Sequence, residues 1–322
     1  MKPSGGLTAA AACAAILLGV CAHAQTAGTW PSKSVRWVVP YAPGGPTDVV
    51  SRVLAPKLAE RIGQSVIIEN RVGAAGNIGA ELVAKAAPDG HTVLYVVPAV
   101  IMNPFFFKSS PDPRELAPVI QVVNLSMLLL ANAGFAPKTV AEIIALAKAK
   151  PGTVSCGSAG GVPTVACELL RFHAQAEMIM VMYKGQGPAL NALMGGEINL
   201  LFDGTSTAAG PVKAGRAHPI ASLNSKGGST AFGNLPAVSD TIRGFEFTIW
   251  HGMMAPAATP RDILVQVNRE VAAVLGLPEV RKRLTDVGFE VVGGSVEDFE
   301  NLFKGETVKY GKVLKEVGIK PE

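Results

Sequence analysis

The chain has 322 residues, 48% hydrophobic and 17% charged, with a formal charge of +4 at pH 7. That length exceeds one typical domain, so two lobes are expected. Its basic residues are scattered, without the stripe or aromatic interleaving of a nucleic-acid surface, and four cysteines are too few for a disulfide scaffold.

The first residues carry one charge, Lys2, then an apolar run from Leu7 to Cys21, then Ala22-His23-Ala24. This is the pattern of a secretory leader (residues 1–24) cut after Ala24. Lipid attachment at Cys21 is disfavoured, because Val20 is larger than the small residue usual before such a cysteine. No later run is apolar for long enough to span a bilayer. The mature chain is therefore expected to be soluble and periplasmic, and to lack Cys13 and Cys21.

Strand-like and helix-like runs then alternate. "VRWVVPY" (35–41) reads as a strand and 47–63 as an amphipathic helix with Asp48 in its first turn. "SVIIEN" (65–70) is a strand, 77–90 a helix and "HTVLYVV" (91–97) a strand. An irregular stretch, 98–116, leads into strands over 117–132. Thr139 caps the next helix, with Glu142 three residues on. Strand "TVSCGS" (153–158), helix 162–176, strand 178–184, helix 187–197 and strand "INLLFDG" (198–204) follow. The last third, 259–288 and 296–318, is helical and amphipathic. This order predicts an α/β fold of parallel sheets covered by helices on both faces.

"GAAGNIGA" (73–80) spaces glycines at Gly73, Gly76 and Gly79, as a dinucleotide loop does. Such a site needs an acid at the end of the next strand. That strand ends "YVVPA", and the first strand-to-helix turn is "YAPGGPTD". These glycines instead suit a tight turn where a helix packs close to a strand and a neighbouring site. There is no Walker loop, and His91, His173, His218 and His251 lack metal-ligand spacing. The expectation is no cofactor and no metal. Ser158 in "CGSAGG" is outside a GxSxG motif. An exported hydrolase of a small ester or amide stays as the alternative, since triads assemble in space. Cys156 and Cys167 are read as two small buried residues, one at a strand end and one two turns into a helix, beyond bridging distance.

Gly-rich turns follow strands in both halves: Pro40–Asp48, Cys156–Gly161, "MYKGQGPA" and "LFDGTS". Each opens a helix, whose first N–H groups are free and whose dipole favours an anion. The first two turns contain no Lys or Arg. The chemistry implied is a small acid held by backbone amides and hydroxyls.

Several segments occur in order over almost the whole mature chain: "PYAPGGPTDVVSR", "IENRVGAAGNIGAELVAKAAPDGHT", "NPFFFKSSPDPRELAPV", "YKGQGPALNALMGGEINLLFD" and "APAATPRDILVQVN". Together they resemble the extracytoplasmic solute receptors of tripartite tricarboxylate transporters, the Bug family. The resemblance implies a two-lobed periplasmic-binding-protein fold with hinge strands, and one ligand in the cleft. It implies a monomeric, non-catalytic receptor of a small organic acid (a mono- or dicarboxylate), partnered by membrane subunits of a transporter. Lobe 1 is then 25–123 with 250–322, lobe 2 is 124–249, and strands 118–123 and 247–256 cross between them.

On this reading the ligand carboxylate lies against Tyr41, Ala42, Gly44, Gly45 and Thr47, with the Thr47 hydroxyl as a further donor. Asp48 orders the loop or a bridging water, or is simply a first-turn acid favoured by the dipole. Tyr41 is either a cover for the ligand or a half-buried strand-end aromatic. Lobe 2 contributes Ser158, Ala159, Gly160 and Gly161, with Asp203 and Thr205 reaching polar ligand atoms or waters. Ala74 and Ala99 line the wall. The chain departs from the family at "GGVPTVACE", which is shorter and apolar, at Asn191, and at Asp240-Thr241-Ile242. The first departure favours a ligand with an apolar or aromatic body.

Overall fold

The computed structural model describes residues 30–158, 161–183, 185–223, 232–243, 245, 247, 249–316 and 318. The leader, residues 1–24, lies outside them. The first sheet takes β1 (Val35–Val39), β2 (Val66–Asn70), β3 (Thr92–Val96), β4 (Leu116–Leu125), β10 (Ile249–Pro256) and β11 (Phe289–Val291). The second takes β5 (Met127–Asn132), β6 (Ser155–Ser158), β7 (Ile179–Met182), β8 (Leu200–Gly204) and β9 (Ala217–Ser222). The helices are α1 (Pro46–Ile62), α2 (Asn77–Ala84), α3 (Ala99–Phe106), α4 (Val140–Ala149), α5 (Gly161–Ala174), α6 (Gln186–Gly195), α7 (Thr205–Lys213), α8 (Arg261–Leu275), α9 (Pro278–Asp286) and α10 (Val296–Glu316).

Strand order is β2-β1-β3-β10-β4-β11 in one sheet and β7-β6-β8-β5-β9 in the other. The first five positions of each follow one scheme. Three parallel strands come first, then one antiparallel strand, then a fifth that pairs with it. The antiparallel strand is in each case the one the chain forms on arriving from the other sheet. The sheets are therefore mixed, a correction to the all-parallel expectation, because β5, β10 and β11 run against their neighbours. The repeat is topological and leaves no trace as a sequence repeat.

The crossings also differ in place from the expected segments. Residues 118–123 lie inside β4, which pairs with β10 as far as Leu125. The chain changes sheet at Ser126, immediately before β5. On the return, the Phe247 N–H donates to the Leu223 carbonyl at 3.3 Å, and two residues later Ile249 is opposite Leu125. Both crossings thus run side by side.

Alternation along β1 divides its side chains between two cores. Val35, Trp37 and Val39 pack with Val50, Leu54 and Leu58 of α1 and with Leu264 and Val271 of α8. Val38 joins the cluster on the opposite face, with Ile101 and Met102 of α3 and Phe299, Phe303 and Tyr310 of α10. That second cluster continues into the other sheet through Leu129 and Phe202. Phe247 is its bridge: its ring lies 5.4 Å from Phe245 and 5.9 Å from Tyr310. One continuous apolar seam therefore runs beside the crossings. His251, in β10, is fully buried beside the Tyr95 hydroxyl, and burial pushes its imidazole down to about 3.

Three local expectations are corrected. The stretch read as irregular holds α3, whose apolar face packs inward although Pro104 lies within it. The helix expected over 77–90 stops at Ala84. Beyond β8 the chain forms α7 and β9, which the periodicity of a segment containing Gly210 and Pro211 does not reveal.

Cys156 and Cys167 are disulfide-bonded, with Cα atoms 6.1 Å apart, not two separate thiols. The sequence estimate carried the helix away from its strand. Instead α5 folds back along β6, so two turns of helix return Cys167 above Cys156. The bridge closes a short loop, for which chain entropy gives about 2–3 kcal/mol. Replacing both cysteines by serine should lower the unfolding free energy in urea by that amount, with the circular dichroism spectrum retained. An unchanged urea midpoint would show that the bridge contributes nothing.

Candidate ligand-binding site

All three parallel strands of a sheet end on the same edge, so the loops after β1 and β3 gather there in one sheet, and those after β6 and β8 in the other. At the β1 edge, Val39 is level with Asn70 at the end of β2. That register brings the Asn70 amide within 3.0 Å of both the Tyr41 carbonyl and Asp48 Oδ1. Asp48 Oδ2 accepts from the Gly44 N–H at 2.9 Å and from Arg52 Nε at 2.7 Å. Both carboxylate oxygens are thus committed to shaping the turn. Gly44 has φ +81°, a conformation that only glycine adopts without strain.

Gly45 precedes the first helical residue, Pro46, which has no N–H to lose. The N–H groups of Thr47 and Asp48 then have no carbonyl within their own helix. Thr47 is buried, Tyr41 and Gly45 are half-buried, and Ala42 and Gly44 are exposed. Burial pushes the Tyr41 phenol above its ordinary range.

The glycines of "GAAGNIGA" serve this edge. A Cβ at Gly79 would lie 2.7 Å from the Pro40 Cβ and 3.1 Å from its Cα. One at Gly76 would meet the Tyr41 hydroxyl at 3.2 Å. Helix α2 therefore sits directly on the end of β1, with the Tyr41 ring beside its first turn. Ala74 and Ala75 are held at φ +45° and +54°, and Asn103 of α3 donates to the Ala75 carbonyl at 3.0 Å. Left-handed backbone at two successive alanines is strain retained at a loop of the candidate site. Ala74 is exposed, as a wall residue requires, whereas Ala99 is 8% exposed and turned into the core.

In the second sheet, Ser158 ends β6 fully buried, its hydroxyl bonded to that of Thr164 in α5. Gly161 opens α5 at φ +62°. Ala159 and Gly160, between them, lie outside the described residues. Asp203 ends β8 with its neighbour Gly204, and Thr205 starts α7, its N–H donating to the Ser126 carbonyl at 3.1 Å. Asp203 Oδ1 accepts from the Gly204 N–H at 2.7 Å and from Thr207 Oγ1 at 2.8 Å. Burial pushes this carboxyl up. Between the two sheets, α3 lies against α5.

Asn70, Arg52, Asn103 and Thr207 hold these loops and escaped the sequence analysis. Arg52 was open to discovery, being one helical turn from Asp48. Asn70 was not, because its role depends on strand register.

Two lobes built on one strand scheme, joined by paired crossings and presenting Gly-rich helix starts at equivalent strand ends, define a periplasmic-binding-protein receptor fold. The family described as "Tripartite tricarboxylate transporter family receptor", TctC, matches residues 50–319. The chain belongs to that family, whose members are substrate-binding receptors. Protein BugT of Bordetella pertussis is 30% identical over 305 residues, covering 92% of each chain. Among solved structures, an R. palustris protein with adipate shares 31% identity at a TM-score of 0.79, covering 91% of this chain and all 100% of that one. MatC from Rhodopseudomonas palustris with bound malate shares 30% identity at a TM-score of 0.75, covering 88% and 100%. The periplasmic binding protein BugD is 28% identical, with a TM-score of 0.77 over 91% and 100%.

The Arg52 guanidinium beside Asp48 holds its carboxyl down at about 2, against 3.8 ordinarily. A depressed value stabilises the fold above the ordinary one and loses that contribution as pH falls through about 2. Because Arg52 is half exposed, solvent screening limits the effect to about 1 kcal/mol. Asp48→Asn should therefore be less stable than wild type near neutrality, and the gap should narrow steadily below pH 4. Urea unfolding of both proteins across pH 7 to 3 measures it; a gap independent of pH would disprove the assignment.

Proposed function

We propose that this protein is a periplasmic receptor, exported by its leader, that captures a small carboxylate-bearing organic acid between its lobes and delivers it to the membrane subunits of a tripartite transporter. It acts as a monomer, without catalysis or cofactor. Lobe 1 is 25–123 with 250–322 and lobe 2 is 124–249, and sheet membership supports a first changeover slightly later, at Ser126. One observation carries the reading: the Tyr41–Thr47 turn after β1 and the Ser158–Gly161 turn after β6 occupy the same topological position in equivalent sheets. Each ends in a helix start that offers N–H groups to an anion. The adipate and malate in the relatives' structures are small acids of the kind such a pair would grip.

In this site a carboxylate rests on the first-turn amides of α1 beside the Thr47 hydroxyl. Asp48 stays off the anion, since its oxygens are already paired and like charges repel. Thermal-shift screening of the mature protein against organic acids tests the receptor. Saturation at a hundredfold above Kd should raise stability by about 2.7 kcal/mol, with the acid recovered unchanged. Turnover of a screened ester or amide would instead favour the hydrolase.

The site itself is tested by substitution. In Gly45→Val, two methyl groups stand where the anion approaches the backbone, and binding should weaken by about tenfold or more, roughly 1.4 kcal/mol. Thr47→Ala should cost about 1 kcal/mol, the scale of one hydrogen bond. Calorimetry with the acid found in the screen decides it: full affinity in a folded Gly45→Val protein would place the carboxylate elsewhere.

A further inference from the structure

The two buried carboxylates at the strand edges are satisfied very differently. Asp48 has a donor on each oxygen. Asp203 is 2% exposed and has both its donors, the Gly204 N–H and the Thr207 hydroxyl, on Oδ1. Oδ2 is buried as well, and among the described residues no donor completes a hydrogen bond to it. The Gln186 side-chain amide reaches this strand end from α6; it donates to the Phe202 carbonyl at 2.8 Å and lies near enough to the Asp203 carboxyl to favour its charged form, without completing a hydrogen bond to Oδ2. A buried polar atom without a partner is exceptional in a folded protein and costs about 1–3 kcal/mol. Here it falls where β8 gives way to α7, on the edge that carries the second-lobe half of the site.

We propose that Asp203 is a specificity-determining residue, selecting an acid that carries a hydroxyl or amino group over the same acid without one. The inference rests on the receptor reading of this cleft. A plain carboxylate has no donor to offer Oδ2, and a second ligand carboxylate there would meet like charge. A hydroxyl or ammonium group supplies the missing hydrogen bond. A site built to bond such a group discriminates strongly against the analogue lacking it, because its own polar atom is then left unpaired.

Asn at this position supplies a reversal. The Gly204 N–H requires an acceptor, so the amide oxygen takes the Oδ1 place and the –NH2 group takes that of Oδ2. The position then offers a donor, which suits a 2-oxo acid as well as a 2-hydroxy acid and no longer suits an ammonium group. Calorimetry on wild type and Asp203→Asn uses matched sets: malate, succinate and oxaloacetate, then lactate, propionate and pyruvate, with aspartate and alanine as the amino members. Wild type should prefer the hydroxy or amino member by about tenfold or more. Asp203→Asn should reduce the preference over the oxo member to about two or less. A wild-type ratio near one, or a ratio unchanged by Asp203→Asn, overturns the assignment and leaves the receptor reading standing. Binding of no member of any set by folded wild-type protein overturns the assignment, whereas the receptor reading is decided by the screen of organic acids. Should Asp203→Asn fail to fold, the wild-type ratios across the sets decide alone.

Discussion

The structure depends on an exchange of strands. Each sheet completes itself with one antiparallel strand that the chain forms on arriving from the other sheet: β5 between β8 and β9, β10 between β3 and β4. Ladder hydrogen bonds on both sides fix these strands, so the connections entering them have almost no freedom of placement. Ser126 is a single residue between two paired strands. The return connection is tied to Leu223 only two residues before β10 begins. Rotation of one sheet against the other is thereby confined to a narrow pair of adjacent segments, as a hinge requires. The aromatic seam through Phe245, Phe247 and Tyr310 fills the space beside them, so α10 braces the same place from outside.

From that exchange follows the position of the site. With the fourth strand reversed, the three parallel strands of each sheet keep a common carboxyl edge, and every helix that follows them begins there. Helix starts are the one place where backbone N–H groups are both unpaired and collectively positive. An anion site needs no cationic side chain under these conditions. The Tyr41–Thr47 turn contains none, and the guanidinium one helical turn on, that of Arg52, is committed to Asp48. The charge economy matters for a receptor that must release its ligand. A buried ion pair would be costly to break, whereas amide hydrogen bonds exchange with water at small net cost.

How far the sequence discloses this depends on the range of the interaction. Helix α1 and its flanking turn are local events: Pro46, Asp48 and the glycines on either side carry their own conformational logic, and they read correctly. The spacing of Gly73, Gly76 and Gly79 reads correctly only after the dinucleotide alternative is set aside, because the deciding contacts are with Pro40 and Tyr41, more than thirty residues away. Asn70 is invisible because its function exists only in a strand register. Thr207 is local, four residues from Asp203, and its role needs the helix turn that begins after Gly204 to be recognised first. The disulfide misleads in a different way. Linear spacing treats helix rise as separation, yet α5 doubles back over β6, and the distance closes. The reversed strands escape because alternation and apolar content are the same for a strand in either direction.

Backbone amides recognise a carboxylate and nothing beyond it, so they cannot by themselves distinguish one small acid from another. Discrimination must come from side chains around the remainder of the ligand. The first lobe offers little for this, since Asp48 is saturated and residues 42–46 are alanine, proline and glycine. The second lobe differs: Pro163 leaves apolar surface in the first turn of α5, Val162 being packed into the core, and the buried Asp203 Oδ2 has no hydrogen-bond partner among the described residues. The division of labour is then physical. On the proposed reading, the first lobe contributes affinity for the functional group common to all candidate ligands, and the second contributes the terms that differ among them. Loss of a first-lobe amide contact should weaken every acid alike. A change at the end of β8 should reorder them.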